Sequence, residues 1–118
     1  LEQDIQTLIR TTLRVWEPRF ILVQRTNSGE AYTRGGGKIE LCLPGTPDLT
    51  IFIKGGRTAH IEVKRPGEVQ RPTQREMSEW LEGLGHEYHV VQSVSDVLDL
   101  MEDWQEAWSG DATAPRIS

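Results

Sequence analysis

The stretch of this sequence that most constrains its fold is a pair of apolar runs meeting at two adjacent glycines. Asp48-Leu-Thr-Ile-Phe-Ile-Lys54 alternates, with Leu49, Ile51 and Ile53 on one face, and Arg57-Thr-Ala-His-Ile-Glu-Val-Lys64 follows after Gly55-Gly56. A period of two puts alternate side chains on one face of a strand, and Gly-Gly between two such runs signals a β-hairpin. Pro44-Gly45-Thr46-Pro47 bounds the unit on one side and Arg65-Pro66-Gly67 on the other, both being turn-forming sequences.

Helices and further strands flank this hairpin. Leu1, Ile5, Leu8, Ile9, Thr12, Leu13 and Trp16 recur at helical spacing, and Pro18 ends that helix. Phe20–Arg25 reads as a short strand, Asn27-Ser28-Gly29 as a turn, and Gly35-Gly36-Gly37 as a loop leading into an extended stretch at 38–43. Thr73 with Glu76 forms a capping-box signature for a helix whose apolar face is Met77, Trp80, Leu81 and Leu84, with Gly85 as its C′ residue. Tyr88–Gln92 is a strand. Ser93 caps a last helix whose stripe is Val94, Val97, Leu98, Met101, Trp104 and Trp108, and Gly110 closes it. The order is that of a single α/β domain over residues 1–110, with 111–118 expected as a loose tail.

The chemistry concentrates at Asp48, Glu62 and Lys64. Glu62 and Lys64 are two apart and share one face of their strand, while Ile61 and Val63 point to the core. A carboxylate and an ammonium beside a buried strand need partners or a purpose. Asp48 begins the neighbouring strand, and two converging carboxylates repel unless a cation or proton joins them. Hard oxygen ligands suit Mg²⁺ or Mn²⁺, and such an ion could activate water against a phosphodiester. An E-x-K triplet alone also fits an ordinary exposed strand. The spacing from Pro47-Asp48 across the hairpin to Glu62-x-Lys64 is more specific. Register gives a condition. A plain two-residue loop would pair Lys54 with Arg57 and set Asp48 opposite Val63, on the wrong face. Bringing Asp48 to Glu62 and Lys64 requires a bulge, an odd-length turn, or Asp48 lying off the regular strand.

Together, Gly45-Thr46-Pro47-Asp48, Ile61-Glu62-Val63-Lys64-Arg65-Pro66-Gly67 and Gln74 resemble the VRR-NUC branch of the PD-(D/E)xK nucleases. Arg25-Thr26-Asn27-Ser28-Gly29, and Gly85 before a strand with Val90-Val91, resemble it too, so the likeness runs over residues 2 to 100. It implies a restriction-endonuclease-like core, a central mixed sheet flanked by helices in the order αβββαβ plus a C-terminal helix. It also implies a divalent-metal-dependent nuclease. Asp48, Glu62 and the Val63 carbonyl become metal ligands, and Lys64 the catalytic lysine. Glu2 acts on the metal directly or through water, and Gln74 closes the site. Stand-alone relatives are similar to dimeric four-way (Holliday) junction resolvases of phages and bacteria. A homodimer acting on branched DNA is therefore expected, in the cytoplasm of a bacterium or an infected host cell. A flap or single-strand nuclease and a catalytically idle nucleic-acid-binding module are the competing readings.

Charge is divided unevenly along the chain. The net charge is -5, yet residues 1–75 hold 12 of the 13 Lys and Arg against 8 acids, a balance of +4. Residues 76–118 hold one basic residue against 10 acids, a balance of -9. A basic front suits a polyanion, although acids on two helices also merely solvate them. Arg25, Asn27, Ser28, Lys38, Arg65 and Arg75 are the expected substrate contacts, with Arg34 and Arg71 beside them. Asn27 and Ser28 equally suit the turn. His60 shares the face of Glu62, where a surface or supporting role suits it better than metal ligation; His86 and His89 look structural. The four tryptophans suit core or dimer packing. Cys42 is the only cysteine, which excludes an internal disulfide and a multi-thiolate zinc site. Neither a secretory signal nor a membrane-length apolar run is present.

Overall fold

The computed structural model describes residues 2–26, 30–32, 34–40 and 43–115, and only the backbone of residues 2, 3, 30–32 and 38–40. Helix α1 (Glu2–Arg14) leads to strand β1 (Ile21–Arg25), then to a short pair β2 (Glu30–Tyr32) and β3 (Lys38–Glu40). Strands β4 (Leu49–Ile53) and β5 (Arg57–Val63) follow, then helix α2 (Pro72–Gly83), strand β6 (Glu87–Val91) and helix α3 (Val94–Glu106). The main sheet runs β1-β4-β5-β6, antiparallel except for the parallel pair β5–β6, and β2–β3 pair separately. This is the mixed, helix-flanked sheet expected from the sequence. Strand β3 falls in the extended stretch read at 38–43; β2, in the part read as loop, and its separate pairing with β3 are the addition. None of the described helices is long and apolar enough to cross a membrane.

Alternation gives the sheet two unlike faces. Ile21, Val23, Leu49, Ile51, Ile53, Ala59, Ile61 and Val63 line one face and are buried. Ile9 and Leu13 of α1, with Val97, Met101 and Trp104 of α3, complete that core. Phe20, Trp16 and Trp108 form its aromatic end, with Trp108 ring centres 5.0 Å from Phe20 and 5.3 Å from Trp16. Trp104 and Trp108 place their indole N–H groups on Glu87 and the Lys54 carbonyl, so neither buried ring leaves a donor unpaired. The stripe expected of α1 holds at Ile9 and Leu13, but Leu8 is exposed. Residues 111–115, expected as part of a loose tail, lie against this body. Asp111 pairs with Lys54 at 3.0 Å, and Ala114 packs on the core.

The second face carries the polar side chains of β5; α2 reaches it at Gln74, while Leu22 and Phe52 on the same face stay exposed. Here the structure corrects the sequence reading twice. Helix α2 starts at Pro72 rather than after a Thr73 cap, and the side chain that caps it is Gln74, whose Oε1 accepts the Arg71 N–H at 2.9 Å. Proline suits a first helical position because its fixed φ is helical and no N–H is wasted there. Trp80 and Leu84 do not belong to the packed face: they are 56% and 76% exposed, whereas Gln74, Met77 and Ser78 are buried. The end of α2 follows the sequence. Gly85, with φ of 92°, sends its N–H to Glu82 and His86 sends its own to Leu81, the Schellman pattern. Ser93 caps α3 by accepting the Asp96 N–H at 3.2 Å.

Candidate functional site

The hairpin turn decides where Asp48 goes. Ile53 pairs with Arg57, so the turn has three residues, Lys54, Gly55 and Gly56, and both glycines adopt positive φ. That odd length shifts the register by one from the plain two-residue loop. Leu49 pairs with Ile61, and continuing the ladder sets Asp48 opposite Glu62, on the polar face. Asp48 Oδ2 accepts the Val63 N–H at 2.8 Å, and the Asp48 carbonyl accepts the Thr26 N–H at 3.0 Å. Thr26 also donates its hydroxyl to the Pro47 carbonyl at 3.1 Å. Gly45 allows this loop to close on α2. Its φ is 85°, and a Cβ there would collide with the Thr73 carbonyl. Only glycine meets both conditions without strain.

Glu62, Lys64 and Gln74 converge beside Asp48. They are 3%, 4% and 5% exposed, which is unusual for such side chains. Gln74 Nε2 donates to Glu62 Oε1 at 3.1 Å while its Oε1 caps α2, so the amide orientation is fixed by both ends. The Asp48 and Glu62 carboxyls are close enough to share a hydrogen bond. Burial, then the charge of Asp48, pushes Glu62 up to about 8, with Lys64 opposing. Burial likewise raises Asp48, against the pull of the Val63 N–H, Lys64 and Arg25. Two carboxyls this close repel when both are ionised, and a proton or a cation between them relieves that repulsion.

Two solved structures share this architecture. A VRR_NUC domain matches with a TM-score of 0.61 and 22% identity, covering 86% of this chain and 94% of its own. A VRR_NUC domain protein matches with a TM-score of 0.58 and 20% identity, covering 89% and 88%. This chain has the VRR_NUC fold. No protein-family model matches the sequence, and no curated protein does. The VRR_NUC likeness agrees with the restriction-endonuclease-like core expected from the sequence motifs.

Within the VRR_NUC fold the other expected site residues are distributed unevenly. Glu2 begins α1, but its side chain lies outside the described residues, as do Asn27, Ser28, Cys42 and the side chain of Lys38. Arg25 ends β1 near enough to influence Asp48. Arg65 is exposed just past β5 and pairs with Glu68 at 2.8 Å; Arg71 and Arg75 are exposed at the start of α2. Arg34 is exposed in the loop before β3. His60 shares the face of Glu62, but its partners are elsewhere: its Nδ1 lies 3.1 Å from Thr50 Oγ1 and its ring packs edge-on to His86. Burial lowers its pKa, which favours the neutral ring. His89 lies 3.4 Å from Glu87, away from the site. Two further participants carry no motif in the sequence. Tyr88 Oη lies 3.5 Å from Glu62 Oε2, and Gln70 Nε2 donates to that Oη at 2.9 Å.

The donor set fits a hard divalent cation. Among the described residues it brings together the carboxyl groups of Asp48 and Glu62 and no thiolate, oxygen chemistry that suits Mg²⁺ or Mn²⁺. Among the described residues no third His, Cys, Asp or Glu joins Asp48 and Glu62. Mg²⁺ in particular keeps several waters and takes one or two carboxylates.

Proposed function

We propose that this protein is a nuclease that hydrolyses phosphodiester bonds in DNA with Mg²⁺ or Mn²⁺. The observation that carries this reading is the meeting of Asp48 and Glu62 across an odd-length hairpin turn, with Lys64 on the same face. The VRR_NUC fold supports it. Asp48, Glu62 and the Val63 carbonyl would hold the cation, with Glu2 reaching it directly or through water. When bound, a divalent cation polarises the phosphate and lowers the pKa of a ligated water.

The chain's own groups do the rest. Asp48 is held by the Val63 N–H and Glu62 by Gln74, so both ligands are positioned before substrate arrives. Lys64, with three N–H donors and no acceptor as the ammonium, orients the attacking water or assists its deprotonation by stabilising the hydroxide that forms. Arg25, Arg65 and Arg75, with Asn27, Ser28 and Lys38, bind the DNA backbone around the site. The sharpest form of the reading is a four-way-junction resolvase acting as a homodimer, because one site cannot nick two strands symmetrically.

Labelled four-way junction, flap, single-stranded and duplex DNA, each with Mg²⁺, Mn²⁺ or EDTA, tests it. Paired symmetric nicks in the junction, absent in EDTA, are expected. Metal-dependent cutting of flap or single strand alone would retain the nuclease and remove the resolvase. No cutting of any substrate with either metal would leave a binding module.

A further inference from the structure

Each Glu62 carboxylate oxygen faces a different donor, and both donors trace back to one short segment. Oε1 receives Gln74 Nε2 at 3.1 Å; Oε2 lies 3.5 Å from Tyr88 Oη. Gln70 Nε2 donates to the same Tyr88 Oη at 2.9 Å, and the Arg71 N–H donates to Gln74 Oε1 at 2.9 Å. Residues 70–74 therefore hold both donors. Tyr88 reaches this place because β6 runs parallel to β5, pairing with His60 while Val90 pairs with Glu62. Side chains at paired positions share a face, so Tyr88 stands on the polar side of the sheet, one strand over from Glu62.

The direction of these bonds follows from proton count. Tyr88 has a single hydroxyl proton, and the incoming amide N–H of Gln70 occupies an oxygen lone pair. That leaves the proton free to point at Glu62. The Gln74 amide is likewise oriented by the Arg71 N–H, which its oxygen must accept. Glu62 is thus offered two donors, an arrangement that suits the ionised carboxylate and fixes its plane.

We infer that Tyr88, oriented by Gln70, is a positioning residue that holds Glu62 in the geometry needed to bind a divalent cation. This rests on the metal-site reading of the proposed function. A hydrogen bond to a ligating carboxylate sets its orientation, and loss of such a partner weakens metal binding by about ten- to a hundredfold. At 3.5 Å the Tyr88 bond is long, so the effect belongs at the lower end. A tyrosine that merely tied β6 to the segment before α2 would do none of this.

Mn²⁺ titrations followed by the electron paramagnetic resonance of free Mn²⁺ separate the two roles. Wild type, Tyr88→Phe and Gln70→Ala are compared, with the metal-free melting temperature of each recorded. Tyr88→Phe is expected to weaken Mn²⁺ binding by on the order of tenfold. Gln70→Ala, which leaves the phenol in place but unguided, is expected to shift affinity in the same direction by less. Both variants at wild-type Mn²⁺ affinity, with only their melting temperatures lowered, would overturn the inference while leaving the metal site standing. A wild type that takes up no Mn²⁺ would overturn both.

Discussion

Replacing Glu62 with Gln is expected to stabilise the metal-free protein at pH 8 and to abolish its stabilisation by Mn²⁺. Glu62 has a folded-state pKa of about 8, against an ordinary value of 4.5. The folded protein therefore holds a proton that the unfolded chain releases, and stability falls as pH rises from about 4.5 through 8. Asp48 is shifted in the same sense and adds to the slope. The amide of the Glu62→Gln variant carries no charge, still accepts from Gln74, and can donate to Asp48 instead of repelling it. The variant should melt near the wild type at pH 5 and on the order of 5–10 °C above it at pH 8. Saturating Mn²⁺ should reverse that order, because only the wild type gains the binding free energy. Thermal melts at the two pH values, with and without Mn²⁺, measure all of this. A variant that melts no higher than the wild type at pH 8 without metal would contradict the description of the site.

Lys64→Met is expected to lower single-turnover DNA cleavage by about a hundred- to ten-thousandfold, the range for loss of a positioned acid–base group. Methionine keeps most of the buried stem's volume and removes only the ammonium. Lys64 lies close enough to Asp48 and Glu62 to lower both carboxyl pKa values. Its loss therefore also makes the metal-free carboxyls harder to ionise, so the assay is run at saturating Mn²⁺. A rate that recovers fully at high Mn²⁺ would assign Lys64 to charge balance alone, and a persistent loss assigns it to the reacting water.

Much of this site is legible in the sequence because its residues lie on a hairpin with clear punctuation. The alternation at 49–53 and 57–63 sets the faces, and the requirement that Asp48 meet Glu62 demands a shifted register, which the three-residue turn supplies. Gln74 comes only from resemblance, since one glutamine in a helical turn has no local signature. The errors in α2 share a physical cause. Its buried stripe is built from Gln74, Met77 and Ser78, because it packs on the polar face of the sheet. A search for apolar periodicity selects Trp80 and Leu84 instead, and the Thr73–Glu76 box loses to the cap supplied by Gln74. Functional sites are where such local rules are expected to fail. Tyr88 is unreadable for another reason. Its position depends on the parallel register of β6 against β5, which is set through an intervening helix rather than a turn.

Whether Asp48 and Glu62 together hold one divalent cation is tested most directly by anomalous diffraction. Crystals soaked in Mn²⁺ at pH 8 would be measured at the manganese absorption edge. A peak beside the Asp48 and Glu62 carboxyls is expected. A fully soaked crystal with no peak there, or with manganese only at the acidic surface of α3, would contradict the shared metal site.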